Sequence, residues 1–291
     1  MILHSKQFFL ILKIVNARKI VNRSLLKPKR SKKFKFPKRL KKRLDSDQLL
    51  VQNRDVVTFK SKDISIDKHI LFLHGGAYVA EASSGHWRII EHLVKKTSFK
   101  LSFIDYPLAP EHGCKEAHEM VFQAYSTLVE QHPNDEFFFL GDSAGGGFCL
   151  SLAQFIRNIQ FKKKPEKIAL LSPWVDISMS NPAIHEFEKK DLLLDPKQLV
   201  ICAHSFAGAI DLKDPIVSPL YGDFENLKNI GIFVGTHEVL LPDCRELKRK
   251  IEHTNTQMFY KEYEAMQHDW MIFPIKERKI LFNDVVDYLL Y

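Results

Sequence analysis

Cysteine is scarce in this chain of 291 residues, and the few that occur are not paired in sequence. Cys114, Cys149, Cys202 and Cys244 form no C-x-x-C motif and have no spacing typical of a metal site. The pattern gives no sign of a disulfide framework, so we expect a reducing compartment.

Acidic residues are absent from the first 44 residues, which contain 16 Lys and Arg. The rest of the chain is net negative, so the overall charge of +8 arises entirely in this N-terminal arm. Two interpretations are open: the arm is solvated and lies over the core, or it contacts an anionic surface. We expect no nucleic-acid partner and keep weak contact of residues 1–44 with an anionic membrane as a hypothesis.

Long apolar runs are also absent. A transmembrane helix needs about 20 apolar residues, and the apolar stretch Phe8–Leu12 is short and has no clean cleavage site after it. We therefore expect a cytoplasmic protein, with peripheral attachment to a membrane as the alternative. Residues 1–26 can form an amphipathic helix, with Phe8, Leu12 and Val15 on one side.

Strand-like and helix-like segments alternate along the rest of the chain. Several apolar runs lack polar alternation, as is typical of strands covered on both faces. The alternation predicts an α/β fold with a mainly parallel sheet. The segment 176–214 breaks the alternation and is interpreted as an insertion. We therefore divide the chain into an arm at 1–48, with a linker at 27–48, and a main domain at 49–291. The runs that predict strands are Val56–Phe59, Ile70–Leu73, Leu101–Ile104, Phe137–Leu140, Ile168–Leu171, Gly231–Gly235 and Met258–Tyr260; helical patterns lie at 84–97, 115–131, 144–160, 243–254 and 276–290.

The most informative segment is Gly141-Asp142-Ser143-Ala144-Gly145, which joins an apolar strand pattern to a helical pattern. This is the strand–turn–helix context in which G-x-S-x-G acts as a nucleophile elbow. The two glycines fit because a side chain at either position would collide with the neighbouring strand or helix. The pattern predicts Ser143 as a nucleophile.

A serine hydroxyl needs a base and a carboxylate that orients the base, in the chain order serine, acid, histidine. His268 is the last histidine and follows the last predicted strand, whereas His253 lies in a predicted surface helix. Glu238 and Asp243 both follow the strand before it. We assign Glu238 because it is nearer the strand end, and we keep Asp243 as the alternative acid, although it can also act as a helix N-cap.

A second loop, His74-Gly75-Gly76-Ala77, follows the apolar run at 70–73. We expect the backbone N–H groups of Gly75, Gly76 and Ala144 to bind the oxyanion of an acyl-transfer intermediate. His74 is predicted to support the loop rather than to act as a base. The 13 histidines show no H-E-x-x-H pattern, so we expect neither a metal nor a cofactor.

These motifs together resemble the hormone-sensitive-lipase-like branch of the α/β-hydrolases, over about residues 70–270. Ala77 replaces the third glycine of the usual His-Gly-Gly-Gly, and the acid is Glu where that branch often has Asp. The segments that carry the resemblance are His74–Ala77, Asp105–Glu111, Gly141–Gly146, Ser172–Asp176, Ser218–Leu220, Gly235–Glu238 and His268.

The resemblance implies an eight-stranded sheet and a helical cap built from the arm and the insertion. It implies a serine hydrolase that cleaves small carboxylic esters of short or medium acyl chain, and it supports Glu238 as the acid. Two other functions stay open. An amidase or deacetylase would use the same triad, and a catalytically silent receptor is disfavoured by the presence of both Ser143 and His268. A homodimer is also left open.

Overall fold

A sheet assembled from the apolar runs of the sequence lies at the centre of the computed structural model, which describes residues 3–31, 34–62 and 66–291. Each predicted run lies within a strand, and one further strand precedes them. The strands are β1 Asp45–Val51, β2 Arg54–Lys60, β3 Lys68–Leu73, β4 Lys100–Ile104, β5 Glu136–Asp142, β6 Lys167–Leu171, β7 Asn229–Gly235 and β8 Gln257–Tyr263.

The strands form one eight-stranded sheet in the order β1-β2-β4-β3-β5-β6-β7-β8. β2 is antiparallel to both of its neighbours, and every pairing from β4 to β8 is parallel. The carboxyl ends of β5, β6, β7 and β8 therefore lie side by side at one edge of the sheet. Loops that follow these four strands can bring their side chains together there.

Helices cover both faces of the sheet, which confirms the α/β-hydrolase architecture expected from the resemblance. Helices α4 and α9 bury their apolar residues against one face, and α5, α6 and α8 bury theirs against the other. None of the helices in the described parts of the chain has both the length and the apolar character that a bilayer span requires. The helices are α1 Ser5–Ile14, α2 Ala17–Leu26, α3 Lys38–Arg43, α4 Ser84–Thr97, α5 Cys114–Gln131, α6 Ala144–Asn158, α7 Pro196–Ala207, α8 Leu241–Ile251 and α9 Arg278–Leu290.

The arm differs from its prediction in two respects. The expected amphipathic helix over 1–26 is two helices, because Asn16 adopts a left-handed conformation (φ 50°) between α1 and α2. The expected linker over 27–48 contains α3 and the start of β1. The boundary predicted at residue 48 therefore falls inside β1, and the sheet begins at Asp45. β1 escapes a pattern search because it is an edge strand with polar, mostly exposed residues.

The arm lies against the insertion. The Arg18 guanidinium on α2 donates to the backbone carbonyls of Glu188 and Asp191. The Asn22 amide donates to the Asp195 carboxylate at 3.0 Å, at the start of α7. Residues of the insertion in turn contact the loop that carries His268, since the Gln267 side chain bonds the backbone of Lys190 and Leu192.

Candidate active site

Ser143 lies in a sharp turn between β5 and α6, with φ 50° and ψ −120°. A non-glycine residue in this region of backbone space is strained, and such strain is common at functional sites. A Cβ on Gly145 would lie 2.0 Å from the Leu73 carbonyl oxygen, and one on Gly141 would lie 2.3 Å from the Gly145 carbonyl. The two glycines thus allow the close approach that holds the turn.

A continuous hydrogen-bond chain links three buried side chains at the carboxyl edge of the sheet. The His268 ring has Nε2 2.9 Å from the Ser143 hydroxyl and Nδ1 2.8 Å from a Glu238 carboxylate oxygen. Ser143 follows β5, Glu238 follows β7 and His268 follows β8. The structure therefore brings together the serine, the acid and the histidine that the sequence order predicts.

Glu238 is fixed by a second set of bonds. Its other carboxylate oxygen accepts from the Gly235 N–H at 2.6 Å and from the Ser172 hydroxyl at 2.7 Å. Asp243 instead lies within the first turn of α8 and accepts from the Asn181 amide at 2.9 Å. It is not the N-cap, because the helix already begins at Leu241.

Asp269 is a third carboxylate at the site, and the sequence analysis did not single it out. Its Oδ2 lies 3.2 Å from Nε2 of His268, the ring nitrogen that also faces Ser143. Burial alone would lower the pKa of His268, but the carboxylates of Asp269 and Glu238 raise it well above its ordinary value. Burial, together with the nearby Asp142 charge, raises the pKa of Asp269 itself to about 6. Its position directly after His268 was the one available signal.

Asp142, the residue before the serine, is fully buried and bonds to Nε2 of His86 at 3.0 Å. The Ser83 N–H donates to Nδ1 of that ring, which puts the His86 proton on Nε2, facing the carboxylate. Burial raises the pKa of Asp142, but His86 and the Gly75 N–H together lower it below its ordinary value. Gly75 approaches this carboxylate closely, since a Cβ on Gly75 would lie 2.4 Å from an Asp142 carboxylate oxygen. Its role as an oxyanion donor stays a prediction.

The His74 loop is held in shape by its own histidine. The His74 ring is fully buried, donates from Nδ1 to the Gly75 carbonyl at 2.7 Å and stacks on Tyr106 at 4.6 Å between ring centroids. Burial lowers the pKa of His74 to about 4, so the ring is neutral near pH 7. The Tyr106 hydroxyl donates to the His74 carbonyl at 2.6 Å. These contacts agree with a supporting role.

The serine and the histidine of the site are both buried. Ser143 is 7% exposed and His268 is 4% exposed. The backbone N–H of Trp174 donates to the Ser143 carbonyl at 2.8 Å. The Tyr78 ring stacks on Phe206 of α7 with 3.9 Å between centroids. The insertion therefore packs against the loop that follows β3.

One group of possible metal ligands occurs among the described residues, and it lies at the opposite edge of the sheet. His69, His132 and Asp135 place one ligand atom each within 4.8 Å of one another. The Lys100 ammonium, however, lies 2.6 and 2.8 Å from the two Asp135 oxygens. Asp135 is therefore already paired with the Lys100 ammonium, and the group is poorly suited to a metal ion.

Comparison with known proteins assigns this chain to a family. A family model described as the alpha/beta hydrolase fold matches residues 70–272. The chain is 30% identical over 224 residues to an esterase of Acinetobacter venetianus, over 75% of this chain and 73% of that protein. It is 29% identical over 202 residues to an acetyl-hydrolase of Streptomyces hygroscopicus, over 69% and 67% of the two chains. A crystal structure of an esterase from the bacterial hormone-sensitive lipase family superposes with a TM-score of 0.80 at 24% identity, over 94% of this chain and 89% of the other.

The chain belongs to the α/β-hydrolase family. Within that class it is a carboxylic ester hydrolase.

Proposed function

We propose that this enzyme cleaves esters of short to medium acyl chain through an acyl-enzyme formed on Ser143. The hydrogen-bond chain from Ser143 through His268 to Glu238 carries the proposal. Ser143 Oγ attacks the ester carbonyl while His268 Nε2 accepts the hydroxyl proton. Glu238 accepts from Nδ1–H, which keeps the acceptor lone pair on Nε2 directed at the serine and stabilises the imidazolium that forms.

The negative oxygen of the tetrahedral intermediate needs preorganised donors, each worth about 2.7–4 kcal/mol of barrier. Ala144 offers its N–H at the start of α6, where the helix dipole favours an anion. We assign the remaining donors to Gly75 and Gly76, whose backbone N–H groups lie in the loop that follows β3. The loop turns sharply here, with φ 128° at Gly76 and 53° at Ala77.

Collapse of the intermediate breaks the bond from the acyl carbon to the alcohol oxygen. The His268 imidazolium passes its proton to that oxygen, and the alcohol leaves. A water molecule then attacks the acyl-enzyme, gives its proton to Nε2 and releases the carboxylic acid as Ser143 Oγ takes the proton back. No cofactor enters either half of the reaction.

The low exposure of Ser143 also bears on the size of the substrate. It favours small acyl groups. The acetyl-hydrolase among the relatives supports the short end of the range. Deacetylation of amines is the second candidate, since the same side chains would serve it with an amine as the leaving group.

A matched pair of substrates separates these functions. We would compare p-nitrophenyl acetate with p-nitroacetanilide, which differ in an ester or amide link, and then extend the ester series to butyrate and octanoate. The proposal expects the ester to be cleaved far faster, with kcat/KM falling at the longest chain. Faster cleavage of the anilide would favour the amidase, and no turnover of any substrate by the folded wild-type chain would favour a receptor.

A further inference from the structure

Helix α1 is apolar on two sides, although only one side is packed against the protein. Phe8 and Phe9 contact the core and Leu12 is buried. Leu10, Ile11 and Ile14 are 59%, 45% and 74% exposed. A helix that is apolar all round is normally buried on all sides. Here one apolar stripe has no partner within the described residues.

Positive charge borders this stripe. Lys6 and Lys13 are exposed and lie four and three residues from Leu10, so they share its side of the helix. We define the outer face of α1 as Lys6, Leu10, Ile11, Lys13 and Ile14. Residues 1–44 offer no carboxylate to neutralise these lysines, because they contain no Asp or Glu.

Helix α2 also carries exposed aliphatic residues next to exposed basic ones. On α2, Ile20 is 59% exposed and Leu26 is 54% exposed, and Lys19 and Arg23 are exposed beside them. Exposed aliphatic side chains set among cations are typical of helices that lie in the headgroup region of a bilayer. The aliphatic groups insert, and the cations stay at the level of the anionic headgroups.

We propose that the outer face of α1 binds the surface of an anionic lipid bilayer. Helix α2, which follows α1 directly, contacts the insertion through Arg18 and Asn22, so a membrane bound at α1 would lie near the insertion. The proposal is independent of the ester mechanism, because it concerns groups that do not touch Ser143.

Two other occupants fit less well. A second copy of the chain, meeting this face across a two-fold axis, would bring lysines against lysines with no acid to pair them. A single-stranded nucleic acid would require aromatic side chains on which bases stack, and the outer face of α1 has only aliphatic ones.

The test uses the full chain and vesicles of two compositions, phosphatidylcholine alone and phosphatidylcholine mixed with phosphatidylglycerol. Sedimentation should recover the protein with the mixed vesicles at low salt and release it at high salt. Replacing Lys6 and Lys13 together by Gln should weaken partitioning about 25-fold, at about fivefold for each charge removed. Ile14→Ser should weaken it about tenfold through lost insertion.

Controls lie outside the arm. Leu50→Ser removes an equally exposed aliphatic side chain from edge strand β1, and Lys162→Gln removes an exposed lysine after α6. Both should bind vesicles like the wild type, and every variant should keep its activity on a water-soluble ester, which shows that the fold is intact. Absence of binding to the mixed vesicles would overturn the proposal. So would a self-association in solution, measured by sedimentation velocity, that Ile14→Ser abolishes.

Discussion

The Asp269 carboxylate lies 3.2 Å from Nε2 of His268, on the nitrogen that also faces the Ser143 hydroxyl. His268, the proposed base, therefore has a carboxylate beside each of its two ring nitrogens. Each carboxylate stabilises the protonated ring, which cannot accept a proton from serine. The consequence is a measurable effect on the pH dependence of the reaction.

Asp269→Asn should move the acid limb of kcat/KM to lower pH. In the proposed mechanism activity requires neutral His268, so it should fall as pH drops through the pKa of His268, which the Asp269 charge raises. Loss of that charge lowers the pKa, so the neutral ring persists to lower pH. The profile should be measured with an uncharged ester. Asp287→Asn, an exposed carboxylate on α9, is the control and should leave the limb in place. An acid limb that is unchanged or moves to higher pH in Asp269→Asn would refute the effect of the Asp269 charge on His268.

The two candidate acids can be separated by isosteric replacement. Glu238→Gln should lower kcat by about 10³–10⁴-fold, because the amide cannot stabilise the imidazolium and permits the wrong tautomer. Asp243→Asn should keep kcat within about threefold, since Asp243 bonds Asn181 rather than His268. The measurement is kcat on a short-chain aryl ester. A larger loss in Asp243→Asn than in Glu238→Gln would reverse the assignment.

An ion-pair cluster should hold helix α3 of the arm against helix α4 in a pH-dependent way. Arg39 and Arg43 of α3, with Lys95, surround the Glu91 carboxylate. Although burial opposes it, these cations lower the pKa of Glu91 to about 2. The pKa is lower in the folded state, so the stabilisation is complete above the ordinary value of about 4.3 and is lost as pH falls toward 2.

Glu91→Gln should therefore speed hydrogen exchange in α3 and lower Tm at neutral pH, and the difference in Tm from the wild type should shrink below about pH 4. Glu119→Gln, an exposed position on α5, serves as the comparison and should change neither quantity. Equal Tm differences at neutral and acid pH would show that the charge of Glu91 does not hold the arm.

The sequence was sufficient for the fold and for the three side chains in the hydrogen-bond chain. The apolar runs and their alternation with helical patterns predict the parallel sheet. The carboxyl ends of parallel strands must meet at one edge of that sheet. Glu238 could be preferred to Asp243 because it lies close to a strand end. These inferences depend only on local pattern and on rules of topology.

What escaped prediction depends on side-chain direction in three dimensions. The contact of Asp269 with His268 arises from a left-handed residue (φ 49°) that turns its carboxylate back toward the ring. The close approach of Gly75 to Asp142, which is 67 residues away in sequence, depends on the position in which His86 holds that carboxylate. Likewise, β1 is defined by its pairing with β2 rather than by its own polar composition.

The nucleophilic role of Ser143 is the central claim, and covalent capture tests it most directly. A p-nitrophenyl alkylphosphonate releases p-nitrophenol as it phosphonylates the active serine, and intact-mass spectrometry with peptide mapping locates the adduct. We expect one adduct per chain, on Ser143, with parallel loss of esterase activity and no adduct in Ser143→Ala. An adduct on another residue, or full ester hydrolysis by Ser143→Ala, would contradict the account.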